Sequence, residues 1–405
     1  MSDRERVAII GGGPAGIMAA ATLAPRVHVD LYEHQRTIGR KFLVAGDGGL
    51  NLTHAGGVHA LEDLCTPREL WRPILASFGP DDLRAWFRTL GVETHVGSSG
   101  RVFPVKGMRP AEVLQCMRHH LRTLGVHIHT GHAFVGFDMQ ARPVIGSKEA
   151  RVALNHDAVL FALGGASWPV TGSRGDWLDH FTGIGVRTVP FAPSNCGVEA
   201  PLPGTLLPHA GRPLKNVRVS AGGRSLRGEV MITARGLEGN AIYPLVPVLR
   251  EALRSEGLAE LCIDLKPDLT HEAIREKLRS VQWSERAAAL RLDRPSMAFF
   301  KAFTARQRFL DGNRWAEELK CVRVPVTALR PLGEAISTVG GIALEEVAPD
   351  LSLRRHGSLF VAGEMLDTDA PTGGYLLQGA FAMGRYAALS MLGHLRRIPD
   401  DRSAC

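Results

Sequence analysis

One stretch near the amino terminus limits the possible folds more than any other: Val7-Ala8-Ile9-Ile10-Gly11-Gly12-Gly13-Pro14-Ala15-Gly16. Four apolar residues suit a short strand buried on both faces, and an alanine-rich helix follows over 15–23. Between them sits the G-x-G-x-x-G pattern. Gly11 and Gly13 permit a tight turn and close approach of backbone to a pyrophosphate, Pro14 and Ala15 open the helix, and Gly16 lets it pack on the sheet. The free N–H groups and positive dipole end of that helix face the phosphates. A second apolar run over 27–32 then delivers Glu33, 22 residues after Gly11. A carboxylate about 20 residues on is what ribose hydroxyls require, and it argues against a 2′-phosphate on that ribose. The alternative is a glycine-rich turn in an ordinary α/β protein, which would leave the register of strand, glycines, helix, strand and acid to chance.

A second signature lies near the other end and selects a flavin dinucleotide, FAD. Residues 159–163 read as a strand closing on Gly164-Gly165, expected to return beside the first strand. Residues 359–362 read as another buried strand, with Gly363 and Glu364 just past its carboxyl end, where open α/β sheets bind ligands. Glu364 is thus placed to accept ribityl hydroxyls. Thr372-Gly373-Gly374 opens a helix over 375–392, whose positive end suits the pyrimidine edge of a reduced, anionic flavin.

The expected fold is α/β: a discontinuous Rossmann-like domain over 1–190 and 334–405, with 191–333 inserted as short antiparallel strands plus a helical part over roughly 242–310. Breakers at Pro190, Pro193 and Pro331 mark the crossings. The chain has 405 residues, too many for one ordinary core. No run reaches the ~18 apolar residues of a membrane helix, and the first strand starts too early for a signal peptide, so the expectation is a cytoplasmic protein without membrane partners. Six scattered cysteines without C-x-x-C suggest reduced thiols, and sixteen histidines without H-E-x-x-H suggest no metal. Charge is concentrated in the insert: residues 191–330 carry 22 Lys and Arg against 15 Asp and Glu, which accounts for the whole net +7. This is either an ion-paired solvated face or a platform for a polyanion.

The chain resembles the BaiN/YhiN-like family of bacterial NAD(P)/FAD-dependent oxidoreductases. The residues that carry the likeness are Gly39-Arg40-Lys41-Phe42-Leu43, Gly48-Gly49-Leu50-Asn51-Leu52-Thr53, Arg101-Val102-Phe103-Pro104, Thr338-Val339-Gly340-Gly341-Ile342, and Ala362-Gly363-Glu364 through Gly373-Gly374-Tyr375. The chain departs from many members at 45–51, where Ala-Gly-Asp-Gly-Gly-Leu-Asn replaces Ser-Gly-Gly-Gly-Arg-Cys-Asn, as in a shorter Gly-Gly-Leu-Asn subgroup. The resemblance implies FAD as cofactor and NAD(P)H as a transient electron donor. It also implies an insert made of a small β-barrel carrying a helical subdomain. Arg40 and Lys41 then become candidates to neutralise pyrophosphate, and Asn51 to meet the flavin edge with donor and acceptor.

Thr233, Gly236, Gly239, Thr338, Gly340 and Gly341 are expected around the ring, the glycines allowing close approach. No catalytic proton donor stands out; Cys196, Thr233 and Thr338 are the candidates. Three functions fit. The first is reduction of an electron-poor C=C bond in a small molecule. The second is reduction of uracil C5=C6 in ribosomal RNA, which the family resemblance implies and the basic insert accommodates. The third is a flavin redox sensor without turnover. Neither substrate nor oligomeric state is written in the sequence.

Overall fold

In the computed structural model, which describes residues 4–45, 49–62 and 65–396, the chain divides into two compact units, Met1–Ala192 with Ser337–Cys405, and Pro193–Ile336. Gly46, Asp47 and Gly48 of the departing loop, and Cys405, lie outside the described residues.

The first unit is built on a six-stranded sheet. Its members are β1 (Arg6–Ile10), β2 (His28–Glu33), β3 (His127–Thr130), β4 (Ala158–Phe161), β5 (Ser352–Leu353) and β6 (His356–Val361). Their order is β5-β6-β4-β1-β2-β3, parallel throughout except for the β5–β6 hairpin. Every residue of β4, and all of β1 after Arg6, is buried, as continuous apolar strands in a covered parallel sheet should be. Strand β1 is flanked by β2 on one side and β4 on the other, so the chain reverses direction across the sheet there. The turns that follow β1, β4 and β6 emerge at the same carboxyl end, which is where a ligand crevice forms in such sheets.

Three helices pack together here. Helix α1 (Pro14–Leu23) starts with Pro at its first position, where the missing N–H costs nothing. Helix α2 (Pro110–Thr123) runs to a glycine at 125. Helix α3 (Tyr375–Leu395) packs so closely on α1 that a Cβ on Gly384 would stand 2.1 Å from the Ala15 carbonyl oxygen.

The second unit carries a seven-stranded sheet. Its strands run, in order, Val322–Val326, Ala259–Asp264, Pro213–Ala221, Arg224–Ile232, Gly236–Glu238, Val198–Glu199 and Ala328–Leu329. The first and last are joined by Thr327 alone. One continuous segment therefore pairs at both ends of the sheet. The helices Val246–Glu256, His271–Leu278 and Arg294–Phe303 share one core with it, around Phe299, Phe300 and Trp315.

Two expectations need correction here. The span 242–310 is not wholly helical, because Ala259–Asp264 pairs inside the sheet. Within it, Thr270 caps a helix, its Oγ1 accepting the Ala273 N–H at 3.2 Å, and that helix already stops at Leu278. The expectation of uniformly reduced thiols is also revised. Cys262 and Cys321 form a disulfide, whereas Cys65 and Cys116 are free thiols. Strand pairing explains it: Cys262 stands opposite Arg323, two residues beyond Cys321. Among the described residues no helix is long and apolar enough to cross a membrane, and no His, Cys, Asp and Glu group could hold a metal ion.

Candidate active site

The glycines of the first turn divide their work. Gly11 has φ +113°, and a Cβ on it would stand 2.2 Å from the Ala162 carbonyl oxygen after β4. A Cβ on Gly16 would stand 1.9 Å from the Gly11 carbonyl oxygen, so Gly16 is required by the turn as much as by the sheet. A Cβ on Gly13 would meet nothing within 4 Å. Open ground therefore lies over the start of α1, whose N-cap makes no side-chain hydrogen bond and whose first N–H groups have no intrahelical partner. That combination is an anion site.

Glu33 is buried beside it. Its Oε2 accepts the Gly12 N–H at 2.9 Å, its Oε1 accepts the Gln35 N–H at 2.8 Å, and the His34 Nδ1 lies 2.9 Å from Oε1. Burial pushes the carboxyl pKa up, but the His34 ring and these N–H donors outweigh it and hold Glu33 below the usual range. His34 is correspondingly raised by its bond to Glu33, against the opposing effect of burial. The carboxylate stays ionised and keeps lone pairs for ribose hydroxyls.

A second cluster gathers residues from four distant parts of the sequence. The Lys41 ammonium donates to Glu364 Oε2 at 2.6 Å and to the buried Ser167 hydroxyl at 2.7 Å. Glu364 Oε1 accepts the Thr338 N–H at 2.9 Å and the Thr338 hydroxyl at 3.3 Å. A Cβ on Gly165 would fall 2.0 Å from that hydroxyl, so only glycine fits there. Lys41, expected against pyrophosphate, instead neutralises Glu364, the carboxylate within its reach. Arg40 is exposed at the start of its helix. Ser167 and Gly165 escaped the sequence reading; the doublet Gly164-Gly165 was the available signal.

The third cluster lies at the start of α3. Gly373 and Gly374 both have positive φ, and a Cβ on Gly374 would stand 2.5 Å from the Thr53 carbonyl carbon. Thr53 donates its hydroxyl to Gln378 Oε1 at 2.8 Å, and Gln378 donates in turn to the Phe78 carbonyl. Two residues before Thr53, the Oδ1 of Asn51 is buried with no hydrogen-bond partner among the described residues. A buried acceptor left unmet costs ~1–3 kcal/mol, which a donor such as a ligand N–H would relieve. Together the cleared glycine turn, the ionised Glu33, the Glu364 cluster and this orphaned acceptor fit the pyrophosphate, ribose, ribityl and imide parts of FAD.

Other expected positions have different partners. Glycines 340 and 341 have positive φ, but what approaches them is protein backbone: the Pro190 oxygen at 2.5 Å and the Met365 oxygen at 2.2 Å from an added Cβ. Gly340 donates its N–H to Asp367 at 2.9 Å. Gly363 has φ +84° and sits against Ala15, and the Gly164 carbonyl accepts the Trp177 indole N–H. In the second unit, Gly236 and Gly239 likewise meet the backbone of Val198 and Glu229. Thr233 is fully used in its own turn, donating to the Gly236 carbonyl and accepting the N–H groups of Arg235 and Gly236. Cys196 is buried in a small apolar cluster with Val246 and Ala335.

The model of the family described as HI0933-like protein Rossmann domain matches residues 5–390. The chain belongs to this family. Among curated relatives, this HI0933-like chain is 25% identical to the 3-dehydro-bile acid delta(4,6)-reductase of Clostridium scindens, over 95% of its own length and 98% of that protein. Among solved structures it is similar to the 3-ketosteroid delta1-dehydrogenase of Sterolibacterium denitrificans, with TM-score 0.51 and 12% identity over 97% of this chain and 100% of that one. It is also similar to E. coli quinol fumarate reductase, with TM-score 0.50 and 13% identity over 97% and 70% of the two chains. The HI0933-like chain has the Rossmann-type FAD-binding fold of these flavoenzymes and is an FAD-dependent oxidoreductase.

Proposed function

We propose that the protein reduces an activated C=C bond in a small conjugated carbonyl compound, with NAD(P)H as electron source. The observation that carries the reading is the buried Asn51 acceptor, two residues before the Thr53 backbone that closes on Gly374 at the start of α3, which supports a flavin N–H as its partner. The curated relative, named for reducing the delta(4,6) bonds of a 3-dehydro-bile acid, supports this substrate class. FAD, when bound, supplies hydride to the β-carbon, and a proton completes the α-carbon.

The residues of the chain bind and orient. Gly11 to Gly16 and Glu33 hold the adenosine and pyrophosphate end. Lys41 fixes the orientation of Glu364, and the backbone N–H of Thr338 fixes its other oxygen. The Thr338 hydroxyl, already donating to Glu364, serves positioning and not proton delivery. The positive end of α3 favours negative charge on the neighbouring ring edge.

Ribosomal RNA reduction uses the same bond chemistry, but the basic insert is extensively ion-paired. Arg275 faces Glu317, Arg323 faces Glu260, Arg235 faces Glu334 and Lys320 faces Asp264. That favours the solvated-face reading and the small molecule.

The test is to reduce the FAD-loaded protein anaerobically with NADH or NADPH, then add a 3-oxo-Δ4 steroid acid. Return of oxidised flavin absorbance and a product heavier by two hydrogens is expected. A flavin that neither nucleotide reduces, or that no conjugated enone reoxidises, rejects the proposal.

A further inference from the structure

A pocket of about 260 Å³ opens in the first unit between the loop after β2 and helix α2. Three arginines line it: Arg36 from the loop, Arg118 and Arg122 from the helix. Thr37 and Thr130 add hydroxyls, and Ile38 contributes to an apolar floor. No acidic side chain lines it. None of the three guanidiniums forms an ion pair with a carboxylate among the described residues, unlike Arg235, Arg275 and Arg323 of the insert.

This grouping is unfavourable without a counter-ion. Arg118 and Arg122 stand four apart on one helix face, where like charges repel, and Arg36 brings a third positive charge from another element. Arg122 has a local reason to be basic, since it lies in the last turn of α2 and meets the negative end of the helix dipole. That reason does not extend to Arg36. What suits planar donor forks together with hydroxyls, and no carboxylate, is a tetrahedral oxyanion bound by charge-assisted hydrogen bonds. The volume admits a phosphoryl group with part of the molecule that carries it, given ~30 Å³ for each water displaced.

The pocket is also tied to the cofactor loop. The Ile38 side chain occupies the space a Cβ on Gly12 would take, 2.5 Å away, and Gly39 donates its N–H to the Gly12 carbonyl at 2.8 Å. Gly12 is itself the donor to Glu33.

We propose that Arg36, Arg118 and Arg122 form a binding site for the dianion of a phosphate monoester borne by a small molecule, separate from the pyrophosphate site at α1. A phosphodiester in RNA shares the oxyanion chemistry but carries one charge per group, and it is recognised along a stripe, not in a single pocket.

The test titrates the FAD-loaded protein calorimetrically at low ionic strength with ribose 5-phosphate, and separately with a single-stranded RNA oligonucleotide lacking terminal phosphates. Ribose 5-phosphate should bind one to one with Kd of ~1 mM or tighter, weakening as salt is raised. Arg118→Ala and Arg122→Ala should each weaken it by about tenfold, with FAD content unchanged; if one variant folds poorly, the other carries the test. Absence of ribose 5-phosphate binding overturns the proposal, as does binding that ignores both substitutions. Binding of the oligonucleotide alone, lost in the same variants, also overturns it and assigns the pocket to RNA.

Discussion

Replacing Gly384 by alanine separates local propensity from packing, because the two predict opposite signs. Gly384 lies inside α3, where glycine to alanine normally stabilises by ~1 kcal/mol. In this protein the new methyl would stand 2.1 Å from the Ala15 carbonyl oxygen and 2.8 Å from its carbon. These are backbone atoms at the start of α1, and no rotamer change moves them aside. Helices α1 and α3 would have to part by about 1 Å for the contact to clear the 3.0 Å below which such contacts do not occur. Overpacking of this kind costs ~1–3 kcal/mol, and against backbone the upper end applies. After the propensity gain, a net loss of about 2 kcal/mol is expected. Because Ala15 belongs to the phosphate turn, FAD affinity should fall as well. Gly393 is the control: it lies in the same helix, is exposed, and an added Cβ meets nothing within 4 Å. The assay is urea unfolding of both variants followed by FAD titration. Gly393→Ala should be neutral or stabilised by up to ~1 kcal/mol. A Gly384→Ala protein as stable as the parent, with unchanged FAD affinity, would refute the close packing of the two helices.

Asn51→Ala should lower FAD affinity by about tenfold without lowering apoprotein stability, since it deletes an acceptor that only a ligand satisfies; equal loss of apoprotein stability would show instead that Asn51 is structural. The Glu33–His34 contact predicts a pH window. Glu33 is held below its unfolded value of 4.5, so its contribution is present above about that pH and is lost as pH falls through the folded value. His34 is raised above 6.5, so its contribution is full below that pH and fades as pH rises through the folded value. The difference in thermal midpoint between parent and His34→Ala should therefore be largest between about pH 5 and 6.5, and a difference flat from pH 5 to 9 would count against the pairing. Peptide mapping without reductant should recover Cys262 and Cys321 in one cross-linked fragment, with Cys116 freely alkylated; separate alkylated peptides would contradict the bond.

Much of the nucleotide fold can be read from the sequence, because its constraints are local. Gly11 to Gly16 mark a turn that must fall between one strand and one helix, and Glu33 ends the next strand. Those signals lie within a span the chain crosses in a single β-α-β unit. The Glu364 cluster is different. Lys41 meets a carboxylate 323 residues away, and only the order of strands in the sheet brings the two turns together. Ser167 carries no pattern of its own and becomes legible once β4 is known to lie beside β6. The same limit explains the second unit. Ala259–Asp264 is short and flanked by helix-forming sequence, so its place in the sheet is set by tertiary pairing and not by periodicity. The helix that begins after Thr270 stops at Leu278, where Arg279-Ser280-Val281-Gln282 offers no apolar face to continue it.

The continuous segment around Thr327 changes how the inserted sheet can come apart. An ordinary open sheet frays from its outermost strand inward, one pairing at a time. Here the segment pairing with Ala259–Asp264 at one end continues directly into the segment pairing with Val198–Glu199 at the other. Pulling either free strains the other, so loss of one pairing is coupled to loss of both. Amide exchange along 198–329 should accordingly report a single opening free energy shared by the whole sheet, with no gradient from edge to centre.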